Sequence, residues 1–415
     1  MQTEKRFGIP FSLIALVFSL KIAASLLNLY FHVYVEAMSD VSFYHHVALQ
    51  ELSVWHKNPN LFLREWLLNW GDIDGKFNIF ERSSTVYWSN LGSLLHSKFM
   101  VLCNILSGKN LFINVLFYNI VFLIGQLYFF GLLQSKAPDK KWLMFFIVFL
   151  IPSVLFWCSG IHKDGWILSA LGIIIYHADR YYHTRHKKHI AFLLLASFIF
   201  FIIRYFYFML LIPPILMWLS SRPFANKVAY FVGLYTFLTI AIFAIPKWIP
   251  SINPPGMIVN KYLDFKTLEG SSNLSTPDLQ ATISSFAEYF PYAMKQVWLS
   301  PPLAPYTNIY QLFSLADALM ILACIGVLIA RLDRRAFQNP LVLFLLFYGL
   351  SAYTIIGYTI TNLGAMARYK SEFTVLILSA LLLANKSKYL LRWNDKLCLW
   401  VSKLSLYTKT LFTSK

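Results

Sequence analysis

The chain is poor in charge, and poorest in acidic residues. Only 13% of its 415 residues are charged, whereas about 25% is usual in soluble domains, and 19 acidic residues stand against 36 basic ones. The four cysteines (Cys103, Cys158, Cys324, Cys398) lack the spacing of a metal or redox site. The sequence also has no P-loop, nucleophile elbow or zinc motif. These absences argue against a soluble domain, a zinc-dependent fold and transport driven by ATP.

Long apolar runs take the place of charge. Hydrophobic residues make up 58% of the chain, and several runs approach the roughly 20 residues that span a bilayer. We predict an all-α polytopic membrane protein in which residues 1–385 form one integrated domain, with an uncleaved first helix. Ten spans are predicted, at 10–34, 110–134, 142–157, 165–178, 190–203, 205–220, 228–246, 309–330, 340–361 and 373–385.

The net charge of +17 is explained by topology, and no nucleic-acid partner is predicted. Basic residues cluster in short loops, which the positive-inside rule places in the cytoplasm. Residues 86–107 are predicted as an amphipathic helix in the membrane plane, because their leucines repeat at helical spacing. Residues 190–220 are predicted as two short spans with Arg204 at the turn. Both termini and every basic loop then lie on the cytoplasmic side, which we take to be that of a bacterial inner membrane.

Two large external loops follow from this topology, at about 35–109 and 247–308. The first carries the amphipathic juxtamembrane helices. Residues 386–415 form a basic amphipathic cytoplasmic tail, which is predicted to lie on the anionic lipids of the inner leaflet. The apolar stripe of this tail consists of Leu390, Trp393, Leu397, Trp400 and Leu404.

Few charges lie on the predicted outer face, and each is at the end of a span. They are Lys163 and Asp164 in "GIHKDG", Arg204, and Arg368, Lys370 and Glu372 in "ARYKSEF". Charges near hydrocarbon are costly, so they tend to be paired or functional. One explanation is that these are solvated tips, with Lys163 paired to Asp164. The other is a shared anionic ligand, since Arg and Lys side chains bind phosphate.

Asp40 lies near the start of the first external loop, in "SDVSFYHH". Tyr44 follows one helical turn later, with His45 beside it. A carboxylate just above the bilayer can act as a general base on a sugar hydroxyl or ligate a divalent cation. The simpler alternative is that Ser39 or Asp40 caps the following helix.

This layout resembles that of the GT-C membrane glycosyltransferases, which use polyprenyl-phosphate sugars. The resemblance rests on a first span followed by a large external loop that begins with Asp40 and continues "Y44-H-H-V-A48". It extends to "IPSVLFWCSGIHKDGW", which is similar to a later hairpin of that family, and covers about residues 10–220. The family often has a second acid beside the first, whereas Val41 follows Asp40 here and Glu36 is the nearest preceding acid.

The resemblance implies transfer of a hexosyl or pentosyl unit from a polyprenyl-phosphate donor to a glycan or lipid acceptor. Asp40 would be the catalytic base. Lys163, Arg204 and Arg368 would lie near the departing lipid phosphate, with Asp164 orienting Lys163 or contacting sugar. The other substrate-binding candidates are Tyr44, His45, His162, Tyr369 and Lys370. A divalent cation is left open as a cofactor, and its ligands are unknown.

Two other functions fit parts of the same pattern. An O-antigen-type polysaccharide polymerase is also polytopic, uses lipid-linked glycans and carries arginines in external loops. A lipid-linked glycan flippase or other transporter would more often bury charge in mid-span and show paired halves. Lys21 is the notable mid-span charge, and the sequence has no visible second half.

A single cysteine at Thr184 tests the predicted topology. The tips at 160–165 and 364–370 are expected outside the cell, and residues 179–189 inside. Only this alternation of the ten spans places every basic loop in the cytoplasm. An impermeant maleimide should therefore label Thr184→Cys only after the cells are permeabilised. Labelling in intact cells would contradict the topology.

Overall fold

The computed structural model describes residues 7–34, 40–68, 82–268, 273–299 and 309–413, and these residues are mainly helical, without a β-strand. Parts of both predicted external loops, with Glu36 and Ser39, lie outside the described residues. The helices are α1 (Phe11–Tyr34), α2 (Asp40–Lys57), α3 (Pro59–Leu68), α4 (Arg82–Ser107), α5 (Leu111–Lys136), α6 (Lys141–Phe149), α7 (Pro152–Trp157), α8 (Lys163–Thr184), α9 (Lys188–Ser220), α10 (Lys227–Trp248), α11 (Pro254–Lys266), α12 (Ile283–Leu299), α13 (Ile309–Ile329), α14 (Pro340–Thr359), α15 (Leu363–Ala384) and α16 (Lys388–Thr413).

Asparagine side chains cap the N-termini of several helices. The side chains of Asn110, Asn226, Asn339 and Asn362 each accept a hydrogen bond from a backbone N–H in the first turn of the following helix. Such caps satisfy amide groups that have no partner inside the helix. Local sequence therefore explains where α5, α10, α14 and α15 begin.

Six helices are long and apolar enough to cross a membrane, among the residues that the structure describes. They are Phe11–Tyr34, Leu111–Lys136, Lys188–Ser220, Lys227–Trp248, Leu312–Ile329 and Pro340–Thr359. The prediction of an all-helical membrane protein is thus supported by the length and composition of the helices, whereas the count of ten spans stays a prediction. Two further helices, α8 and α15, are buried among the others and carry the charged residues of the predicted outer face other than Arg204.

Helix α9 reverses direction at Arg204, whose backbone is non-helical (φ −150°, ψ 69°). A straight helix of 33 residues would be about 50 Å long. Instead, both ends of α9 lie beside the C-terminal end of α8. His189 contacts His177 with their Nδ1 atoms 2.9 Å apart, and the ring centroids of Trp218 and Tyr182 are 6.5 Å apart. The chain thus forms a hairpin at Arg204, as the charge pattern predicts.

The basic loops meet at one end of the helical bundle. Lys136 forms an ion pair with Asp179 at 2.8 Å, and Lys140 donates to the carbonyl oxygen of Asn385 at 2.6 Å. The other contacts here are Lys386 with Asp333 and Lys227 with Gln338. Lys163, at the start of α8, lies at the opposite end, roughly 24 Å from Asp179, because it precedes Asp179 by sixteen residues and a helix rises about 1.5 Å per residue.

Helices α5 and α8 cross closely at two glycines. A Cβ at Gly172 would lie 2.1 Å from the carbonyl oxygen of Gly125, and a Cβ at Gly125 would lie 2.1 Å from that of Ser169. Small residues at such crossings let two backbones pack in direct contact. This contact holds α8, and therefore Lys163 and Asp164, against the rest of the bundle.

Helix α4 buries polar as well as apolar residues and exposes apolar side chains near its C-terminal end. His96, Ser97 and Asn104 are buried, whereas Leu102 and Leu106 are 50% and 71% exposed. The helix that the sequence predicts is present at Arg82–Ser107, and its position in the membrane plane stays a prediction. An exposed apolar face suits the predicted position in the membrane plane.

The second external loop and the tail contain structure that composition does not predict. Helices α11 and α12 lie in the predicted loop at 247–308, and the buried Tyr358 of α14 donates to the carbonyl of Phe286 in α12 at 2.8 Å. In α16, Leu390 and Leu397 pack against the core, whereas Trp393 is exposed. The predicted stripe is therefore only partly covered by the protein. The side chains of Trp400 and Leu404 lie outside the described residues.

The glycine crossing predicts unequal effects of two alanine substitutions. Gly172→Ala should lower the free energy of unfolding by at least the roughly 1–3 kcal/mol of an overpacked core, because its Cβ meets backbone. Gly233→Ala is the matched control in α10, where nothing lies within 4 Å of the added Cβ. It should be neutral or slightly stabilising, since alanine favours helix. Thermal unfolding in detergent measures both, and equal stability of the two variants would contradict the close crossing.

Candidate functional site

Charged side chains from four elements converge at the end of the bundle opposite the basic loops. Asp40 begins α2, Asp164 lies in the first turn of α8, Arg204 lies at the reversal of α9, and Arg368 lies in the second turn of α15. Their ion pairs join residues up to 328 positions apart in the chain. The sequence gives no local signal for such a cluster, and only the packing of these helices assembles it.

Arg368 is the central cation of this cluster. Its Nε donates to Oδ2 of Asp164 at 2.5 Å, and its Nη1 donates to Oδ2 of Asp40 at 2.9 Å. Arg204 lies on the other side of Asp164, with Nη2 3.9 Å from Oδ1. The expectation that Asp164 orients Lys163 is therefore wrong. Asp164 is fully buried and its ion-pair partners are the two arginines, because the first turn of α8 faces α15 and the α9 reversal.

Lys163 points away from Asp164 and toward α4. Its Nζ donates to Oγ of Ser93 at 2.8 Å and lies 5.4 Å from the ring centroid of Tyr44. Only 5% of the residue is exposed, so it is not a solvated tip. A cation that is buried against a hydroxyl and an aromatic face, without an acidic partner in contact among the described residues, is suited to receive an anion.

Aromatic rings complete the walls of the cluster. The Arg204 guanidinium lies 4.4 Å from the ring centroid of Tyr369, and that of Arg368 lies 5.6 Å from it. On the α4 side, the ring of Tyr44 lies 4.7 Å from that of His96. Tyr44 and Tyr369, both predicted as site residues, thus lie beside the charged side chains.

Several buried nitrogen atoms here have no hydrogen-bond partner in the described part of the chain. They are Nη2 of Arg368, Nε of Arg204 and both ring nitrogens of His96. Buried polar groups are normally satisfied, and the rare exceptions mark ligand sites or ordered water. Two unsatisfied guanidinium nitrogens beside a buried lysine form a pattern of donors that fits the oxygens of a phosphate.

The electrostatics of the cluster affect Asp40 and His96, which lie outside the predicted spans. Burial by itself would raise the pKa of Asp40, but the charges of Arg368, Arg204 and Lys163 outweigh it and hold that pKa below its usual value. The Asp40 side chain is 53% exposed and thus open to a ligand. Burial lowers the pKa of His96 to about 3, and Lys163 adds to the effect, so this ring is neutral at pH 7.

Three further predicted site residues occupy other positions on these helices or next to them. Lys370 donates to the carbonyl oxygen of Val297 at 3.4 Å, on the α12 side of α15, because two helical positions are about 200° apart around the axis. His162 is buried with Nε2 2.8 Å from Oδ1 of Asn28. His45 is partly buried on α2 beside Tyr44. Among these three, Lys370 is not placed to share a ligand with Arg368.

A polar network inside the bundle supports the segment before α8. Lys21 donates to Oγ of Ser159 at 2.7 Å and to the carbonyl of Cys158 at 3.2 Å. Asn119 donates to the carbonyl of Ser159 at 2.9 Å. The mid-span lysine therefore binds the C-terminal end of α7, where a positive charge is favourable. Its role here is to fix the segment that leads into Lys163.

Sequence reasoning missed Ser93 and His96 as members of the site. Both lie on the polar face of α4, in "NLGSLLHSKF". The leucine spacing identifies the helix, but it does not by itself assign the polar face to the protein interior. In a membrane-associated helix the polar face is often the one that contacts protein, because lipid accepts the apolar face.

No metal centre is evident in the described residues, where no group of three His, Cys, Asp or Glu side chains is placed to hold an ion. Asp40 and Asp164 share the guanidinium of Arg368. A divalent cation stays a prediction from the resemblance alone.

No protein-family model matches the chain, and no curated protein or solved structure is significantly similar to it. The resemblance to GT-C glycosyltransferases therefore stays a prediction from layout. The chemistry of the site has to be argued from its own residues.

The buried ion pairs predict a large stability effect at Asp164. Asp164→Asn leaves two buried arginines short of a counter-charge, and breaking a buried pair typically costs about 3–5 kcal/mol. The matched control is Asp278→Asn, because Asp278 pairs with Lys266 at 2.6 Å but is 84% exposed. Unfolding in detergent should show a clear loss for Asp164→Asn and almost none for the control. Wild-type stability of Asp164→Asn would mean that the arginines do not need this carboxylate.

Proposed function

We propose that this protein is a membrane glycosyltransferase that moves a sugar from a polyprenyl-phosphate donor to a glycan or lipid acceptor on the extracytoplasmic face. The observation that supports this most is the cluster of Asp40, Lys163, Arg204 and Arg368 at one end of an apolar helical bundle. It combines an accessible carboxylate with buried cations that have unsatisfied donors. A lipid-linked phosphosugar needs both chemistries within reach of the membrane.

The proposed topology has ten spans. The two limbs of α9 count separately, α6 and α7 form one interrupted span, and α8 and α15 cross as charged but buried helices. With the other apolar helices α1, α5, α10, α13 and α14, the count is ten. The basic loops then face the cytoplasm together with both termini, and the charged cluster faces the outside.

The donor phosphate would bind among Lys163, Arg204 and Arg368. The Lys163 ammonium and the free Nη2 of Arg368 supply charge-assisted donors, which are about twice as strong as neutral ones. When the bond from the anomeric carbon to phosphate breaks, the phosphate gains negative charge. Cations that are already in position stabilise that charge in the transition state.

Asp40 is the proposed base, and Arg368 regulates its availability. In the structure Asp40 accepts from Arg368, which lowers its pKa and weakens it as a base. A bound phosphate would compete for the same guanidinium and release the carboxylate toward the acceptor hydroxyl. Asp40 would then take the hydroxyl proton as the oxygen attacks the anomeric carbon and the lipid phosphate departs.

Two variants separate the binding role from the chemical role. Lys163→Ala should weaken binding of a polyprenyl-phosphate hexose about 10- to 150-fold, the effect of losing a charge-assisted contact, and Lys163→Arg should retain part of it. Asp40→Asn should bind the donor but transfer about 10²–10⁴-fold more slowly. Donor binding and single-turnover transfer, measured in nanodiscs, give both quantities.

Lys266→Ala is the matched control, because this lysine is exposed and pairs with Asp278 far from the cluster in sequence. Normal donor binding by Lys163→Ala would remove the phosphate from this position. Normal transfer by Asp40→Asn would leave Asp40 without a catalytic role. Extension of glycan chains en bloc would instead favour the polymerase.

A further inference from the structure

A cavity of about 390 Å³ lies between α2 and α4, beside the charged cluster. Its volume is in the range of small-molecule sites. Ser93 forms part of its lining and is also the residue that accepts from Lys163 at 2.8 Å. The side chain of Ser93 therefore lies between the cavity and Lys163, the cation that we assign to the donor phosphate.

The polar lining of the cavity is neutral. Asn90, Ser93 and Ser97 lie on one face of α4, at spacings of three and four residues, and each contributes to the wall. An amide and two hydroxyl groups can both donate and accept hydrogen bonds. Among the residues that the structure describes, no lining residue is charged.

Two of the polar groups in this wall are buried without a partner. Oγ of Ser97 and Oη of Tyr87 have no hydrogen bond among the described residues, and Ser97 is only 1% exposed. A buried hydroxyl without a partner is unfavourable unless a ligand or water completes it. Neither oxygen is exposed to the cavity in this structure, so an occupant with hydroxyl groups of its own would bond to them only after the side chains of the wall rotate.

Aromatic side chains also contribute to the lining. Phe43 of α2 and Tyr87 of α4 both line the cavity, together with aliphatic side chains. A sugar ring has polar edges and apolar C–H faces, so it fits a wall that offers both hydroxyl groups and aromatic surface. A prenyl chain would leave Asn90, Ser97 and Tyr87 unsatisfied.

We infer that this cavity binds the sugar unit of the donor and that the sugar it selects is uncharged. The inference rests on the proposed function, because a donor phosphate at Lys163 would place the sugar of the donor, rather than its prenyl chain, in the cavity. The neutral lining offers no cation for a uronic acid and no acid for an amino sugar. Asn90, Ser97 and Tyr87 are thus specificity-determining residues.

The test compares three probes on one pair of variants in nanodiscs: undecaprenyl phosphate, its neutral hexose conjugate, and a soluble methyl hexoside. The double variant Asn90→Ala/Ser97→Ala should bind the hexose conjugate about tenfold more weakly, which corresponds to about 1.4 kcal/mol. It should bind the sugar-free lipid as the wild type does. Ser89→Ala, one position from Asn90 and outside the lining, is the matched control and should bind all probes normally.

The outcomes separate this inference from the proposed function. If the wild type binds undecaprenyl phosphate through Lys163 and the double variant loses no selectivity for the conjugate, the sugar site is wrong and the proposed function stands. Equal loss for the sugar-free lipid would place the prenyl chain in the cavity and overturn the inference.

If no lipid binds to the wild type, the proposed function fails. The sugar site is then tested by saturation-transfer NMR of the methyl hexoside alone. A saturation-transfer signal that is present with the wild type and absent with the double variant supports a sugar site. The absence of that signal with the wild type overturns it.

Discussion

The bridge that Arg368 makes between Asp164 and Asp40 is the interaction on which the outer end of the molecule depends. It joins the second turn of α15 to the first turns of α8 and α2, and through Asp164 it also reaches Arg204 at the reversal of α9. Isolated buried charges are very unfavourable, so each of these helices is held where its charged side chain is neutralised by those of the other helices. The site and the packing of four elements are therefore one arrangement.

Backbone and polar contacts inside the bundle support this bridge. The crossing of Gly125 and Gly172 sets the distance between α5 and α8, while Lys21 and Asn119 hold the carbonyl groups just before α8. These contacts fix the start of α8, which provides both Lys163 and Asp164. The two residues then point in different directions, the lysine to α4 and the carboxylate to the arginines.

The orientation of α4 connects the bundle to the proposed chemistry. Leu102 and Leu106 near its C-terminal end are exposed, whereas Ser93 contacts Lys163, His96 packs against Tyr44, and both polar and apolar side chains line the cavity. The same helix can thus contact lipid on one face and a polar ligand on the other. A lipid-linked sugar has the same division, with an apolar chain and a polar head.

The amino-acid sequence by itself determined the all-helical class, the apolar helices and the reversal at Arg204, because these depend on local apolar length, charge and helix caps. It also predicted the outer-face charges as a set. Only the tertiary structure decided their partners. Asp164 pairs with Arg368 rather than with its neighbour Lys163, and Lys370 faces away, because neighbouring residues on a helix point in different directions while distant helices meet. Ser93, His96 and the cavity required the orientation of α4, which depends on what packs against its polar face.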